Sequence, residues 1–439
     1  MTTQGLDTSL IGEGGLGASV NEGRLYTKIA WRITPFLILI FLFGNMDRAN
    51  VGFAALSMRQ DLGLSNAAYG FGAGVFFLGY FLFEIPSNLA LQKFGAKIWF
   101  ARIVFTWGLA TCALALVKDA TWFYILRFAI GAAEAGIAPG VMLYLSHWVP
   151  DSQRGRFNAL YWLAAPIAFV ITGPLSGFVM TYFNGLAGLS GWQWMFIVEG
   201  GLTMLMGPIL LFGLTNSIES AKWLSPVEKR TAQQGLARLN QTAHAHSCRD
   251  AVFNAKTVFS CLAYFSLLVG YYGIAFWLPQ LIKHAGVSDT MTIGWLSALP
   301  WLAAGVTVVF VGPYSDVAGR RGAVRTGAML LTAAGFWISA YFASSVTLSL
   351  LGLTMAAVGI LAASTVFWAD LARIYVGPAA AIGFAVINSI GNLGGFFSPY
   401  MLGFVTDLTG SAVMGMYAIV ASILISCALM FVAFRSLRN

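Results

Sequence analysis

Four charged residues sit in stretches where charge is costly. Asp47 and Arg48 lie about 15 residues into the first long apolar block, and Arg127 and Glu134 lie in the fourth. An ionisable group at such a depth in a bilayer costs roughly 2.5–3.5 kcal/mol on insertion scales. Arg127 and Glu134 are seven residues apart, nearly two helical turns, so both project from one face about 10 Å apart along the axis. Gly131 lies between them and is expected to leave open space on that face. Two acids and two bases on two helices can pair and lower each other's cost. One reading is a structural ion network that only fixes helix packing. The other is a site for an anion and a proton. An organic carboxylate needs a cation to replace lost water, and the planar fork of Arg meets it with two hydrogen bonds. Proton coupling needs an acid that takes a proton when its cation partner is captured by the substrate. On this second reading Arg48 binds the carboxylate, Asp47 and Glu134 carry protons, and Arg127 tunes Glu134.

The elements that must position these residues are apolar helices. The chain has 439 residues, of which 58% are hydrophobic and 10% charged. A soluble chain carries about 25% charged residues, so this one cannot cover a water-facing surface. Its apolar residues arrive in blocks, and roughly 20 in a row span the hydrocarbon as a helix. The blocks run at about 33–56, 66–91, 98–117, 121–147, 157–182 and 193–215, then 256–281, 291–315, 323–343, 346–369, 376–405 and 412–434. This predicts an all-α membrane protein of about twelve spans. Its parts are a flexible tail over 1–23, a six-helix bundle over 24–215, a hydrophilic linker over 216–255 and a second bundle over 256–439. The tail holds no basic residue and lacks the charged start of a signal peptide, so the first span is expected to remain as an uncleaved anchor.

The net charge of +8 does not point to nucleic acid, because the cations sit at the ends of apolar blocks. They fall on alternate sides. The N-terminal flank and every second loop hold most of the Lys and Arg, while the opposite side holds only Arg59, Lys118 and Lys283. Both termini and the linker are therefore expected in the cytoplasm, with the chain in the inner membrane. The four cysteines have no C-x-x-C spacing and read as free thiols. His244 and His246 form a lone H-x-H in the linker, which reads as solvated loop. No Walker loop is present, so ATP drive is not expected, and the scattered His and Cys argue against an enzyme. No metal or other cofactor is expected beyond the proton itself.

The halves repeat. After the second span the chain reads Asn88 to Lys97 with Gly95 at a tight turn. After the eighth it reads Gly312-x-x-x-Asp316-x-x-Gly319-Arg320-Arg321. In the first copy Gln92 stands where the acid would be. Repeated halves with a site between them at mid-membrane are common in secondary transporters. In the eleventh span Asn388 and Asn392 share a helix face, and Gly391, Gly394 and Gly395 interrupt the apolar run. They read either as cavity-facing amides or as interhelical glue. Tyr80 is a candidate cavity aromatic. Gly136-x-x-x-Gly140 and Gly173-x-x-x-Gly177 let helices approach closely.

The loop around Asp316 resembles the signature of the major facilitator superfamily. A closer likeness is to the anion:cation symporter family. It is carried by Met46-Asp47-Arg48-Ala-Asn50, Glu84-Ile-Pro86-Ser-Asn88, Arg127-Phe-x-x-Gly131-x-x-Glu134, Gly191-Trp-x-Trp194-x-Phe-x-x-Glu199-Gly and Asn388-Ser-Ile-Gly391-Asn392. The resemblance covers nearly the whole chain after the tail. It implies a major facilitator fold and proton-coupled import of an organic acid, of the kind that includes tartrate, phthalate, hydroxyphenylacetate and sugar acids. It adds Asn45 and Trp368 to the substrate contacts Arg48, Tyr80, Asn388 and Asn392. Asp316, Gly319, Arg320 and Arg321 are expected to latch the cytoplasmic side. Glu84 and Glu199 read as structural. A passive facilitator or exchanger on the same fold is the alternative. The expected partners are a small organic anion and the bilayer, with one chain sufficient for a pathway.

Overall fold

A backbone inside hydrocarbon must satisfy its own N–H and C=O groups, and the described residues do so with helices. The structure, a computed structural model, describes residues 21–237, 254–317, 320–375 and 378–434. The first half comprises α1 (Glu22–Asp61), α2 (Asn66–Phe94), α3 (Ala96–Ala113), α4 (Ala120–Glu134), α5 (Ile137–Ser146), α6 (Asp151–Tyr182) and α7 (Gly191–Gly213). A short helix, α8 (Pro226–Ala237), follows in the linker. The second half comprises α9 (Ala255–His284), α10 (Thr290–Val317), α11 (Arg321–Tyr341), α12 (Val346–Ile374), α13 (Pro378–Asn392), α14 (Gly394–Thr409) and α15 (Ala412–Ala433). Most of the expected tail, His244, His246, Cys248 and Gly319 lie outside the described residues.

Among the described residues, eleven segments are long and apolar enough to cross a bilayer, counting α4 and α5 as one. They match eleven of the twelve blocks. The remaining block is divided at Leu393 into α13 and α14, each too short to span alone. The interruption is slight, since Leu393 keeps a right-handed helical backbone, and the glycines after it let neighbours approach closely. A Cβ on Gly394 would lie 2.6 Å from the Phe265 carbonyl, and one on Gly395 would lie 2.5 Å from the Phe77 ring. The fourth block, expected as one helix, is also broken, between Glu134 and Ile137. Gly136 there has φ +88°, a conformation glycine adopts without steric cost.

Apolar side chains cover the outside. Leu205, Phe212, Leu302, Phe310 and Phe404 are all at least half exposed, which suits lipid and not water.

The halves meet through α2 against α14, α6 against α10, and α1 against α9. The first two contacts are nearly bare backbone. A Cβ on Gly70 would lie 2.1 Å from the Pro399 carbonyl, and one on Gly173 would lie 2.4 Å from the Gly294 carbonyl. The Gly173–Gly177 pair thus allows a close approach across the halves. Gly131 does not leave open space. A Cβ on it would lie 1.9 Å from the Phe76 carbonyl, so the backbone of α2 fills that face.

These contacts lie at the end of the bundle opposite the chain termini, and polar bonds reinforce them. Asp407 accepts from Asn66 N, Asn66 Nδ2 and Ala67 N at 3.1, 2.7 and 2.7 Å, capping α2 from the other half. Arg59 donates to Gln280 at 3.1 Å, and Lys283 to the Leu56 carbonyl at 3.0 Å. Toward the other end, Ser389 donates to Glu84 at 3.0 Å across the halves.

Candidate functional site

Helix α1 carries Asn45, Asp47, Arg48 and Asn50 within two turns. Arg48 Nη2 pairs with Glu134 Oε1 on α4. The guanidinium carbon stands 5.3 Å from the centroid of the Phe76 ring on α2, and that of Arg127 stands 5.0 Å from the same centroid. Ring faces attract cations, so one aromatic side chain serves both. Arg127 is fully buried and donates Nη2 to the Ala73 carbonyl at 3.2 Å. It lies within coulombic reach of Asp47. Asp47 Oδ1 accepts from Thr111 at 2.8 Å and from Asn50 at 3.3 Å.

The four charges picked out by their cost therefore converge. Glu134 has a cation in contact, which offsets the desolvation an isolated buried charge would suffer, whereas Asp47 has Arg127 nearby without an ion pair and is held by Thr111 and Asn50. The pairing is incomplete. Arg48 Nε, Glu134 Oε2 and Asp47 Oδ2 are buried with no hydrogen-bond partner among the described residues. Arg48 thus keeps an unspent donor while one oxygen of Glu134 holds it in place.

Arg48, Tyr80 and Glu134 line a cavity of about 10 Å³ with Ile40, Phe41 and Gly44, space for about one water. Tyr80, Tyr271 and Tyr272 lie close to Arg48. The last two belong to α9, so the site faces the second half. Tyr272 packs against Phe77 at 4.5 Å and donates to Asn392 Oδ1 at 3.3 Å. This contact ties α13 to the same region.

The other expected residues are placed as follows. Asn45 is buried, and its amide donates to the Phe41 carbonyl at 2.8 Å, within its own helix. Trp368 packs edge-on against Tyr264 at 5.1 Å, within the second half. Asn388 lies one turn before Asn392 on α13 and is partly exposed. Asp316 accepts from Arg321 at 2.6 Å, and Arg321 also reaches the Ala369 carbonyl at 3.3 Å. Arg320 is exposed. Arg325 and Asp370, which the sequence reading did not select, form a buried pair beside Asp316 and Arg321. These contacts join α10, α11 and α12 of one half. Asn50, Thr111 and Ser176 were also missed as neighbours of these charges, since hydroxyls and amides are too common in spans to stand out.

Two halves around a central cluster of charge, wrapped in an apolar surface, define a multi-pass membrane transporter. The chain belongs to the Major Facilitator Superfamily, whose family model matches residues 36–399. It is 42% identical over 429 residues to a "Putative tartrate transporter" of Agrobacterium vitis, covering 97% of this chain and 95% of that one. It is also 42% identical over 405 residues to the "Putative metabolite transport protein NicT" of Pseudomonas putida, covering 92% and 93%. The fold resembles that of a bacterial homologue of the human lysosomal transporter Spinster in an inward-facing, occupied conformation, with a TM-score of 0.74 at 17% identity over 92% of this chain and 96% of that one.

Proposed function

We propose that this transporter imports an organic carboxylate together with protons by alternating access, as a monomer in the inner membrane with both termini in the cytoplasm. The observation that carries the reading is the Arg48–Glu134 pair, in which a cation with an unspent donor is held by an acid on another helix. The name of the Agrobacterium relative, a putative tartrate transporter, supports a small organic acid as cargo.

The chemistry runs as an exchange of partners. An arriving carboxylate takes the Arg48 guanidinium, which meets it with two parallel hydrogen bonds. Glu134 then faces a dry site without its cation, and a proton neutralises it. Anion and proton thus enter together, and the charge of the site stays constant. Asp47 carries a further proton against Arg127. Tyr80, Asn388 and Asn392 orient the rest of the substrate, with Asn45 and Trp368 behind them. The cavity beside Arg48 is too small for an organic anion, so binding requires the halves to move. The cluster around Asp316 and Arg321, with Gly319 and Arg320, holds α10 to α11 as they do so.

Reconstituted Asp47→Asn and Glu134→Gln variants should keep counterflow exchange of the anion and lose accumulation driven by a pH gradient. Full accumulation by both would leave a facilitator or exchanger as the correct reading. A panel of tartrate, phthalate and hydroxyphenylacetate in the same assay identifies the acid.

A further inference from the structure

A third acid lies next to the four charges, and the coupling scheme does not use it. Glu199, on α7, is 3% exposed. Its Oε1 accepts from Ser176 on α6 at 2.7 Å. Its other oxygen, Oε2, is buried with no hydrogen-bond partner among the described residues. Asn50 on α1 donates to Asp47 and also faces Glu199, so one amide stands between the two carboxylates. The amide oxygen of Asn50 and Asp47 Oδ2 are likewise buried and unpartnered.

The groups facing Glu199 are few. From α1 they are Asp47 and Asn50, and from α6 Ser176. Helix α3 serves Asp47 instead, through Thr111, and its Cys112 thiol points at the Ile197 carbonyl at 3.7 Å. Among the described residues, none forms an ion pair with Glu199. The cluster therefore has three acids, Asp47, Glu134 and Glu199, against two guanidinium groups. A buried carboxylate without a cation is far costlier than a neutral carboxyl, so the third acid is where an extra proton resides.

We infer that Glu199 is a further proton-carrying residue of the coupling site, exchanging its proton with Asp47 across Asn50. The exchange balances. Protonated Glu199 and ionised Asp47 become ionised Glu199 and protonated Asp47; one O–H bond breaks, one forms, and the Asn50 amide turns over so that its two hydrogen bonds change ends. Asn50 suits both states, because its amide N–H holds whichever carboxylate is charged and its orphaned oxygen accepts from whichever is protonated. A cavity of about 130 Å³ at the end opposite the chain termini is lined by Leu56, Met180 and Gly191, on the same three helices, and Met180 lies one turn beyond Ser176. This inference rests on the proton-symport reading.

The test counts protons moved per anion by the reconstituted chain, from the membrane potential at which net flux reverses. In Glu199→Gln the ratio should fall by one in whatever flux remains. An unchanged ratio overturns the role of Glu199. A wild-type chain that moves no protons defeats symport itself, so the two failures are distinguishable. If the variant does not fold, a hydrophobic carbodiimide on the wild-type chain serves instead, since it reacts with protonated buried carboxyls. Mass spectrometry should then find Glu199 modified, and less so as pH rises. No modification, or the same extent at every pH, overturns the inference.

Discussion

The two arginines of the site differ in access. Arg127 is fully buried, donates to the Ala73 carbonyl with Asp47 nearby, and leaves Nε and Nη1 without a partner among the described residues. Arg48 is bound by one oxygen of Glu134 and lines a cavity. Only the second geometry admits a competitor, and a competitor must match a planar fork. Lysine keeps the charge but loses the second parallel hydrogen bond. Arg48→Lys should therefore lower the affinity for the anion at least about tenfold, equivalent to about 1.4 kcal/mol, with folding and Arg127 unaffected. Counterflow measured over a range of anion concentrations checks this, and unchanged affinity would remove Arg48 from the substrate contact. These two residues, with Asp47 and Glu134, were legible in the sequence because charge in an apolar block has few reasons to exist. Asn50 and Ser176 were not, since their importance comes from what lies across the helix boundary. Glu199 was visible as an acid but was read as structural until the orphaned oxygens around it were seen.

At the scale of elements, periodicity and apolar length marked the helices, and local backbone chemistry decided where they break. The fourth span stops at Glu134 because Gly136 turns left-handed, so the acid sits at a helix end and not in a continuous rod. The eleventh span is interrupted slightly at Leu393, beside its glycines. The linker hid an element, because its helix α8 is polar and short. A capping box starts it: Ser225 N donates to Glu228 Oε2 at 2.8 Å, and Glu228 N donates to Ser225 Oγ at 3.2 Å. Lys28 of α1 then donates to Glu228 at 2.9 Å and docks α8 on the first span. The Ser225 backbone N–H first, and then Lys28, hold the Glu228 carboxyl below its ordinary range. A carboxyl lowered in the folded state contributes stability above its unfolded value, and that contribution is lost as pH falls through the folded one. The protection of the α8 amides relative to their intrinsic exchange rates should therefore be full at neutral pH and fall below about pH 4.3, the ordinary glutamate value. Glu228→Gln should show the lower protection at every pH. The effect is small, about 0.2–1 kcal/mol, because Lys28 is exposed and water screens the pair.

For the whole molecule the question is what closes the end opposite the termini, since alternating access requires that closure to be reversible. Large interlocking side chains would resist separation, and smooth backbone contacts do not. The α6–α10 contact is of the smooth kind, with Gly173 and Gly294 each placed so that a Cβ would lie 2.4 Å from the other's carbonyl oxygen. No side chain tolerates that distance against backbone, so Gly294→Val must push the two helices apart. The site residues lie elsewhere and stay intact. The variant should therefore populate a state open at this end, bind the anion from that side and fail to complete transport. Spin labels at Asn184 and Ser288, which line the cavity between these helices, report the change in a background without native cysteines. The wild-type chain should give a short distance and Gly294→Val a longer one, with accumulation lost and anion binding retained. A valine variant with the wild-type distance and full accumulation would mean that closure is carried elsewhere, by the Asp407 cap on α2 and the Arg59–Gln280 bond. The same labels in an Asp407→Ala variant would then show the longer distance instead.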